Sequence, residues 1–341
     1  MPPLPQLVDA YASASGSPAI LTFATAGYFH WVRHLQRNLH LLRLHWTCEL
    51  KVCVPDNVTA ALTREENLAP LQLRDVLRGR PRSPSHGASA EDFGSSGYAA
   101  TVHVKAACIH AFLMLQPEGS LFMFLDADST LFSSPWPHFP GGGDVDMALL
   151  DDSGPTQRGK TAATLNSGCF LLRVCSATRS LWRAMVQMHR LYPTMLDQVA
   201  LNHLLKKPNE YANAFGRSQP GGRGLARAAL GGGGGGGHGE RNASAAGGRV
   251  RAVALPAGTF LNGYRFYEAR GRGFDAAAAA RIVVVHHNWI RGDRKKWERA
   301  SDFDAVTTAA DARSGDAGTF MRRALAAMRH KSRWVYNAQG G

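Results

Sequence analysis

Short apolar segments alternate with longer amphipathic segments along most of the chain. The apolar segments predict β-strands at 19–25, 49–54, 121–125, 145–150, 168–174, 251–255 and 281–285. The segments with helical periodicity predict α-helices at 28–44, 98–116, 176–191, 196–206 and 316–330. Strands that are apolar throughout and alternate with helices are typical of a mostly parallel sheet covered on both faces. The predicted fold class is therefore α/β, and ligands are expected at the carboxyl ends of the strands.

Segments rich in Gly, Pro and Ser interrupt this alternation. Residues 78–97 predict a flexible surface loop. Residues 216–248 contain 14 Gly in 33 positions and predict a disordered insertion, because such a segment buries too little apolar surface to offset its chain entropy. We expect a single domain at 19–310, between a flexible N-terminus at 1–18 and a C-terminal helix and tail at 311–341.

Length and composition exclude several classes of protein. A chain of 341 residues with 45% hydrophobic residues can bury a large core, which excludes a wholly disordered protein, a disulfide miniprotein and a coiled coil. No apolar run approaches the ~20 residues that a membrane span needs. The first residues have neither the basic start nor the apolar centre of a signal peptide. We therefore expect no membrane span and no leader in this sequence.

Cysteines and glycosylation sequons bear weakly on the cellular compartment. The five Cys form no C-x-x-C pair, and an odd number leaves at least one thiol free or joined to another chain. Four of the five lie in apolar stretches, where a buried Cys acts as a small hydrophobic residue. Two sequons, Asn57-Val-Thr and Asn242-Ala-Ser, stand where chance would give about one. These features slightly favour a secretory location.

The formal charge of +13 suits an anionic partner such as a nucleotide diphosphate, an acidic polysaccharide or a nucleic acid. A codon bias toward Arg, Gly and Ala explains the charge equally well. Residues 216–251 carry six Arg and a single acid, Glu240, which also raises the alternative of a non-enzymatic RNA-binding or polyanion-binding protein. That segment lacks repeated Arg-Gly-Gly units with interleaved aromatic residues, so no nucleic-acid partner is expected.

The strongest chemical signal is an acidic pair that directly follows a buried strand. In the sequence LFMFLDADSTLF, five apolar residues run into Asp126-Ala127-Asp128. Positions 126 and 128 lie on the same side of an extended chain. Two carboxylates placed so close together are typical of a divalent cation site, since Mg²⁺ and Mn²⁺ take oxygen ligands and bridge to phosphate oxygens. The alternative is a pair of acids that caps the next turn.

Two enzyme classes use this acidic pattern. In nucleotide-sugar glycosyltransferases the cation holds the donor diphosphate. In phosphatases of the haloacid-dehalogenase type, an apolar strand precedes D-x-D-x-T, which Asp126 to Thr130 match. That motif belongs on the first strand of its domain, whereas here an α/β pattern precedes it. Asp151-Asp152 could complete the phosphatase site, but too few residues separate it from the first pair.

Further motifs favour the glycosyltransferase. Asn166-Ser167-Gly168 opens a predicted strand, Asp197-Gln198 opens a predicted helix, and RIVVVHHNWIRGDRKKW at 281–297 places two His after an apolar strand. With D-x-D and in this order, the motifs resemble the plant-type nucleotide-diphospho-sugar transferase family, which includes rhamnogalacturonan-II xylosyltransferases and extensin arabinosyltransferases. The match spans roughly 19–300. It implies the GT-A fold, a Rossmann-like, mostly parallel sheet flanked by helices.

The resemblance also implies roles for individual residues. Asp126, Asp128 and His286 would hold the cation, while Asp197 and Gln198 would act at the donor sugar or the acceptor hydroxyl. A second set would contact the donor and consists of Thr25, Ala26, Lys105, Asn166, Ser167, Gly168, Gly292 and Lys295. Asn166, Ser167 and Gly168 are expected in a polar turn. Two structural roles without contact to the substrate stay open as alternatives: Lys105 as a solvated helix residue, and Asp197 as a helix N-cap.

The register after the last predicted strand distinguishes two histidines. His286 should face the acidic pair, and His287 should point to the opposite side of an extended chain. A histidine ligand normally has its second nitrogen held by another group, and the amide oxygen of Asn288 is a candidate. The strand itself is expected inside the main sheet, with its end at the same edge as Asp128.

The implied cofactors and partners follow from the same resemblance. They are Mn²⁺ or Mg²⁺, a nucleotide-sugar donor such as a UDP-sugar, and a glycan or glycoprotein acceptor. The resemblance implies transfer of a pentose or galactose with retention of configuration, and a location in the Golgi lumen. Family members usually begin with a membrane anchor, which this sequence does not display.

Overall fold

The computed structural model describes residues 18–68, 70–72, 96–140, 144–152, 164–206, 249–267 and 281–288. The described strands are β1 (Ala19–Phe23), β2 (Glu49–Val54), β3 (Pro70–Gln72), β4 (Leu121–Asp126), β5 (Ser129–Leu131), β6 (Met147–Asp151), β7 (Leu165–Arg173), β8 (Ala252–Ala254), β9 (Phe260–Asn262) and β10 (Val284–His286). The described helices are α1 (Phe29–Leu41), α2 (Asn57–Glu65), α3 (Ser96–Leu115), α4 (Ser176–Leu191), α5 (Asp197–Lys206) and α6 (Gly263–Tyr267), and short 3₁₀ turns cover Ala26–Tyr28, Leu44–Trp46 and Trp136–His138.

Most predicted elements are present with shifted ends. β2 and α4 have the predicted bounds, whereas α3 begins at Ser96, inside the predicted loop at 78–97, the rest of which lies outside the described residues. Helical periodicity does not predict α2. Local capping explains this helix, because the Asp56 carboxylate accepts a hydrogen bond from the Thr59 backbone N–H at 2.8 Å. The predicted helix at 316–330 and the insertion at 216–248 lie outside the described residues.

The main sheet has the strand order β3-β2-β1-β4-β7-β6-β8. Neighbouring strands run parallel except at β7, which is antiparallel to both β4 and β6. The prediction of a mostly parallel α/β sheet flanked by helices is therefore confirmed.

A second sheet corrects the expected position of the last strand. β10 lies between β5 and β9 in a three-stranded sheet, antiparallel to β5 and parallel to β9. It was expected inside the main sheet because Val284 and Val285 are apolar, and both are indeed fully buried. The apolar residues correctly predict a buried strand, but they do not predict which strand lies beside it. Here β10 pairs with β5, which directly follows the acidic pair.

Two apolar layers cover the faces of the main sheet. On one face, side chains of α1 and α2 such as Leu35 and Ala60 pack against Ile20 and Val52. On the other face, α3, α4 and α5 contribute Ile109, Trp182 and Leu201 among others. Since strand residues alternate between faces, β1, β2 and β4 supply both layers, which is why most of their residues are apolar.

One described helix is long and apolar enough to cross a membrane by length and composition. It is Tyr98–Leu115 within α3, and half of this segment is buried inside the protein. A core helix of a globular protein passes the same test. Its buried residues include Ile109 and Phe112, which pack against the sheet, so we interpret α3 as a core helix.

A disulfide joins Cys53 at the end of β2 to Cys108 in α3. Both side chains are fully buried. Cys48, Cys169 and Cys175 are free thiols. The sequence analysis gave no pairing, because the two cysteines are separated by 55 residues and belong to no spacing motif.

Candidate functional site

Strand ends gather polar residues at one edge of the main sheet. β6 has the same direction as β4 and β1, so the carboxyl ends of these strands share this edge. Asp126 is the last residue of β4, Asp152 directly follows β6, and Thr25 lies two residues after β1. β7 runs the other way and begins at this edge, where Asn166 lies. The topology therefore brings together residues that are distant in sequence, at the position where open α/β sheets bind ligands.

Asp126, Asp128 and His286 form a cluster that could hold a metal ion. One ligand atom from each lies within 4.8 Å of the others. The His286 Nε2 atom is 3.3 Å from an Asp128 oxygen and 3.6 Å from an Asp126 oxygen. Asp128 and His286 are buried, while the Asp126 side chain is 27% exposed. Two carboxylate oxygens and an imidazole nitrogen are a donor set that suits Mn²⁺ or Mg²⁺.

Electrostatics favour positive charge at this cluster. Burial raises the pKa of the Asp126 carboxyl above its ordinary value, and the nearby Asp128 and Asp197 carboxylates raise it further, against the effects of Lys105 and His286. Close carboxylates repel each other when both are ionised. A bound cation would relieve this repulsion, which is a further reason to regard the cluster as a cation site.

The pairing of β5 with β10 determines which histidine faces the carboxylates. Ser129 pairs with His286, so His286 lies opposite the residue that follows Asp128. His287 turns to the other side, where its Nε2 atom lies 2.9 Å from the Thr130 hydroxyl and its ring lies 5.7 Å from that of Trp31. The structure thus places His286 near the acidic pair and His287 away from it, in the register that alternation predicts.

Asn288 does not play the expected part. Its amide oxygen accepts a hydrogen bond from the Gly263 N–H at 3.0 Å, and its amide nitrogen donates to Asp152 at 2.7 Å. The proposal that Asn288 orients His286 is therefore wrong. The chain turns after β10, so Asn288 no longer shares a side with His286 as it would in an extended strand.

Lys105 links the acidic cluster to α5. Its ammonium nitrogen lies 3.0 Å from an Asp126 oxygen and 2.5 Å from an Asp197 oxygen. Burial lowers the pKa of Lys105, but the Asp126 and Asp197 carboxylates outweigh burial and raise it above its ordinary value. Lys105 is only 5% exposed, which excludes the alternative of a solvated helix lysine.

Asp197 is an ionised, buried partner of Lys105. Burial alone would raise the pKa of its carboxyl, but Lys105 and hydrogen bonds from the Ser167 hydroxyl and the Gln198 N–H lower it. The alternative of a helix N-cap is wrong, because Asp197 is the first residue of α5 and Leu196 accepts the first helical bond from Ala200. A carboxylate whose pKa is lowered is a weak base. This environment therefore suits a fixed negative charge beside Lys105 better than a general base.

Asn166, Ser167 and Gly168 lie within β7 and not in a polar turn. Polar residues predicted a turn, but hydrogen bonds satisfy them inside the strand. The Asn166 oxygen accepts the Gly168 N–H at 2.7 Å, and its amide nitrogen donates to Gln198 at 3.1 Å. A Cβ at position 168 would lie 2.6 Å from the His286 ring and 2.7 Å from the Asp126 carboxyl carbon, so any larger residue would displace these side chains.

Asp152 is a site residue that the sequence analysis did not assign to the glycosyltransferase. It is 5% exposed, and its carboxylate accepts hydrogen bonds from the amide nitrogens of Gln198, Asn262 and Asn288 at 3.0, 3.1 and 2.7 Å. Its position directly after an apolar strand is the same signal that identified Asp126. These bonds fix the Gln198 amide, because one end donates to Asp152 and the other accepts from Asn166.

A cleft of about 650 Å³, including space open to solvent, adjoins the acidic pair. Thr25 lines the cleft with two tyrosines, Tyr28 and Tyr98, and with Lys105, whereas Ala26 begins the neighbouring 3₁₀ turn and is not part of the lining. Burial, followed by the nearby Asp197 carboxylate, raises the pKa of Tyr98, which keeps its hydroxyl protonated. Gly292 and Lys295 lie outside the described residues.

A cleft beside carboxylates and a histidine, at the carboxyl edge of a mostly parallel α/β sheet, is typical of an enzyme that binds a small molecule. The profile of the nucleotide-diphospho-sugar transferase family matches residues 50–300. The chain belongs to this family, and membership supports a glycosyltransferase that uses a nucleotide-sugar donor. No curated protein matches the chain.

Several solved glycosyltransferase structures are similar to the chain. The galactosyltransferase LgtC, in complex with donor and acceptor sugar analogs, has a TM-score of 0.46 and 13% identity, covering 83% of this chain and 94% of LgtC. The apo form of GlyE from Streptococcus pneumoniae has a TM-score of 0.43 and 10% identity, covering 90% and 62%. Glucosyl-3-phosphoglycerate synthase from Mycobacterium tuberculosis, in complex with phosphoglyceric acid, has a TM-score of 0.36 and 11% identity, covering 60% and 69%.

Proposed function

We propose that the protein transfers a pentose or galactose from a UDP-sugar to a glycan or glycoprotein acceptor, with Mn²⁺ or Mg²⁺ bound. The observation that supports this most directly is the cluster of Asp126, Asp128 and His286 beside the cleft. The plant or algal subfamily, a cell-wall acceptor and retention of configuration are finer parts of the proposal, and they rest on the order of the motifs.

The cluster fits the cation that this chemistry uses. Asp126 and Asp128 would provide oxygen ligands, and His286 would provide nitrogen, which favours Mn²⁺ over Mg²⁺. When bound, the cation would offset negative charge on the departing nucleoside diphosphate. Gly168 contributes by leaving space between Asp126 and His286.

Side chains in and around the cleft would orient the donor. Thr25 and Ala26 lie where β1 ends, at the edge expected for the nucleotide base, and Asn166 and Ser167 hold Gln198 and Asp197. Lys105 keeps a positive charge beside Asp126. Asp197 would maintain that charge, and Gln198, with its amide fixed, would face the sugar. Gly292 and Lys295 would contact the diphosphate, as the motif order implies.

We further propose that the protein works in the Golgi lumen. The disulfide between Cys53 and Cys108 supports an oxidising compartment, since such bonds are rare in the cytosol. The proposed acceptors, glycans and glycoproteins, are also found there.

Among the described residues, the contacts of the second acidic pair argue against the phosphatase alternative. The second acidic pair, which a phosphatase would need, is committed elsewhere: Asp151 accepts a hydrogen bond from Arg265 at 2.6 Å, and Asp152 binds three amides. Most of the segment at 216–251, on which RNA binding would depend, lies outside the described residues.

The test is release of UDP from a panel of UDP-sugars with and without Mn²⁺. We expect one sugar to be preferred and Asp128→Asn to lose at least about 100-fold in rate, because even the partners of metal ligands cost about 10- to 100-fold when removed. Asp144→Asn is the matched control, since its side chain is 93% exposed.

Two results would contradict the proposal. One is an Asp128→Asn variant that turns over at the wild-type rate while Mn²⁺ still stimulates it. The other is a wild-type protein that hydrolyses no UDP-sugar but cleaves aryl phosphates with Mg²⁺, which would support the phosphatase instead. The anomeric configuration of the product, read by NMR, tests retention.

A further inference from the structure

The sequon Asn57-Val58-Thr59 lies at the exposed start of α2. Asn57 is exposed and Val58 is 56% exposed, whereas Thr59 is fully buried. Asn57 plays no part in capping the helix, because Asp56 accepts the hydrogen bonds from the Thr59 N–H and hydroxyl. The asparagine side chain is therefore available to a solvent-facing modification.

The disulfide supplies an independent observation about the same part of the chain. Cys53 lies four residues before Asn57 and is joined to Cys108. A disulfide between two fully buried cysteines forms and persists in an oxidising compartment, which is also where asparagine-linked sugars are added. The two features thus indicate one compartment from two different chemistries.

We infer that Asn57 carries an N-linked glycan. The amide nitrogen of Asn57 bonds to the anomeric carbon of an oligosaccharide carried on a lipid diphosphate. The bond between that carbon and the diphosphate oxygen breaks, the lipid diphosphate leaves, and the amide loses one proton. Nothing is oxidised or reduced in this step. The two cysteine thiols lose two protons and two electrons to a thiol oxidase in forming the disulfide.

The fold also dictates when the glycan is added. The Thr59 hydroxyl, which an N-glycosylation sequon requires, has no exposed surface once α2 has formed. Transfer to Asn57 must therefore precede the folding of α2 onto the sheet. Asp56 then caps the helix without competition from Asn57.

A glycan at Asn57 is compatible with the cleft. Ala60 of α2 packs in the apolar layer with Val54 of β2, whereas α3, which forms a wall of the cleft, packs on the opposite face. Asn57 is not among the residues that line the cleft. β2 ends at the same edge of the sheet as β1, but Asn57 is exposed and lies outside the cleft lining, so a glycan there should leave sugar transfer unchanged.

The experiment uses protein isolated from its own cells. Peptides are released in ¹⁸O-water with an enzyme that removes N-linked glycans, which converts a glycosylated asparagine to ¹⁸O-labelled aspartate. Alkylation of Cys53 and Cys108 before and after reduction is measured in the same sample under denaturing conditions, because both side chains are fully buried in the folded protein. We expect label at position 57 and alkylation of both cysteines only after reduction.

Matched variants made in the same cells complete the test. Asn57→Gln should lose the mass of one glycan, Thr59→Ser should keep it, and both should release UDP at the wild-type rate. Unlabelled Asn57 beside an intact disulfide, or label only at Asn242, overturns the glycan but leaves the compartment. Unlabelled Asn57 with freely alkylated Cys53 and Cys108 overturns both. UDP release, measured separately, tests the proposed function independently of either result.

Discussion

Lys105 holds two carboxylates together in the wall of the cleft. Asp126 belongs to the end of β4 and Asp197 to the start of α5, and the ammonium group contacts both. In a buried setting, the loss of one charged partner leaves the others without compensation, which costs more than the ion pair itself contributes. Lys105 therefore matters for stability as well as for any contact with the donor.

The first prediction concerns Lys105→Met. Without the ammonium, Asp126 and Asp197 face each other in a buried region, and we expect the free energy of unfolding to fall by about 3 to 5 kcal/mol. Urea denaturation measures it. Mn²⁺ should restore more stability to this variant than to the wild type, because a cation replaces the missing positive charge.

Lys51→Met is the matched control for this change. Lys51 pairs with Glu49 at the surface, and such pairs contribute only about 0 to 1 kcal/mol. If Lys105→Met and Lys51→Met lose similar amounts of stability, the Lys105 pair is not the structural link that its burial indicates.

His189 gives a second prediction, on the pH dependence of stability. Burial, and then the neighbouring His103, lower the pKa of His189 from 6.5 to about 4. Its ring stacks on that of His103 at 4.1 Å. The unfolded chain therefore binds this proton at a higher pH than the folded protein does. Stability should fall as the pH drops from 6.5 to about 4, by up to about 3 kcal/mol.

The measurement is the urea midpoint of the wild type and of His189→Leu across this pH window. Leu replaces a neutral buried ring with an apolar group that does not titrate. The variant should show a flatter profile between pH 6.5 and pH 4. Parallel profiles would mean that other groups cause the acid sensitivity.

At the scale of single elements, β7 shows how a strand shapes a site that it does not directly form. Its residues at 166–168 support Gln198 and Asp197 through hydrogen bonds, while Gly168 leaves room for Asp126 and His286. The rest of the strand anchors these residues, since β7 pairs with β4 from Cys169 to Arg173 and with β6 on its other side.

The third prediction is that Gly168→Ala disturbs the cation cluster. The added methyl group would overlap with Asp126 and His286, and overpacking of this kind costs about 1 to 3 kcal/mol. We expect weaker Mn²⁺ binding by calorimetry and a lower melting temperature. Gly258→Ala is the control, because a Cβ there meets nothing within 4 Å. Equal Mn²⁺ affinity in both variants would contradict the predicted crowding.

At the scale of the whole molecule, the disulfide ties β2 of the main sheet to α3, the helix that walls the cleft. Cys53 and Cys108 enclose a loop of 55 residues. In the chain-entropy account, a loop of this length stabilises the folded state by about 4 kcal/mol.

The fourth prediction is that the double variant Cys53→Ala, Cys108→Ala unfolds at lower urea, with a loss of roughly this 4 kcal/mol. Dithiothreitol should destabilise the wild type and leave the double variant unchanged. If dithiothreitol lowers the free energy of unfolding equally in both proteins, the disulfide does not stabilise the fold by closing this loop.

The sequence predicts local features well and long-range pairing poorly. The bounds of β2 and α4 follow from apolar runs and helical periodicity, and the D-x-D motif identifies Asp126 and Asp128. Each of these patterns consists of residues that are close together in the sequence. The partners of β10 and of Cys53 depend on distant residues, so no local pattern contains them.

Polar residues inside buried elements are the other source of error. Asn166 was expected in a turn because it is polar, but its amide is satisfied by Gln198 and by the Gly168 N–H within β7. Asp152 follows an apolar strand just as Asp126 does. Its carboxylate accepts hydrogen bonds from Asn262 and Asn288, which are distant in sequence, so the sequence alone does not predict these contacts.

The position of β10 has a consequence for biosynthesis. The ribosome releases Asp126 and Asp128 long before His286, and until β10 emerges both β5 and β9 lack the strand that lies between them. Unpaired strand edges of this kind invite association with other chains and recognition by chaperones. A prematurely terminated polypeptide that ends before residue 284 would therefore lack His286, the third member of the cluster. It would also lack β10, the central strand of the three-stranded sheet. The complete cluster of Asp126, Asp128 and His286 therefore forms only after translation has passed His286.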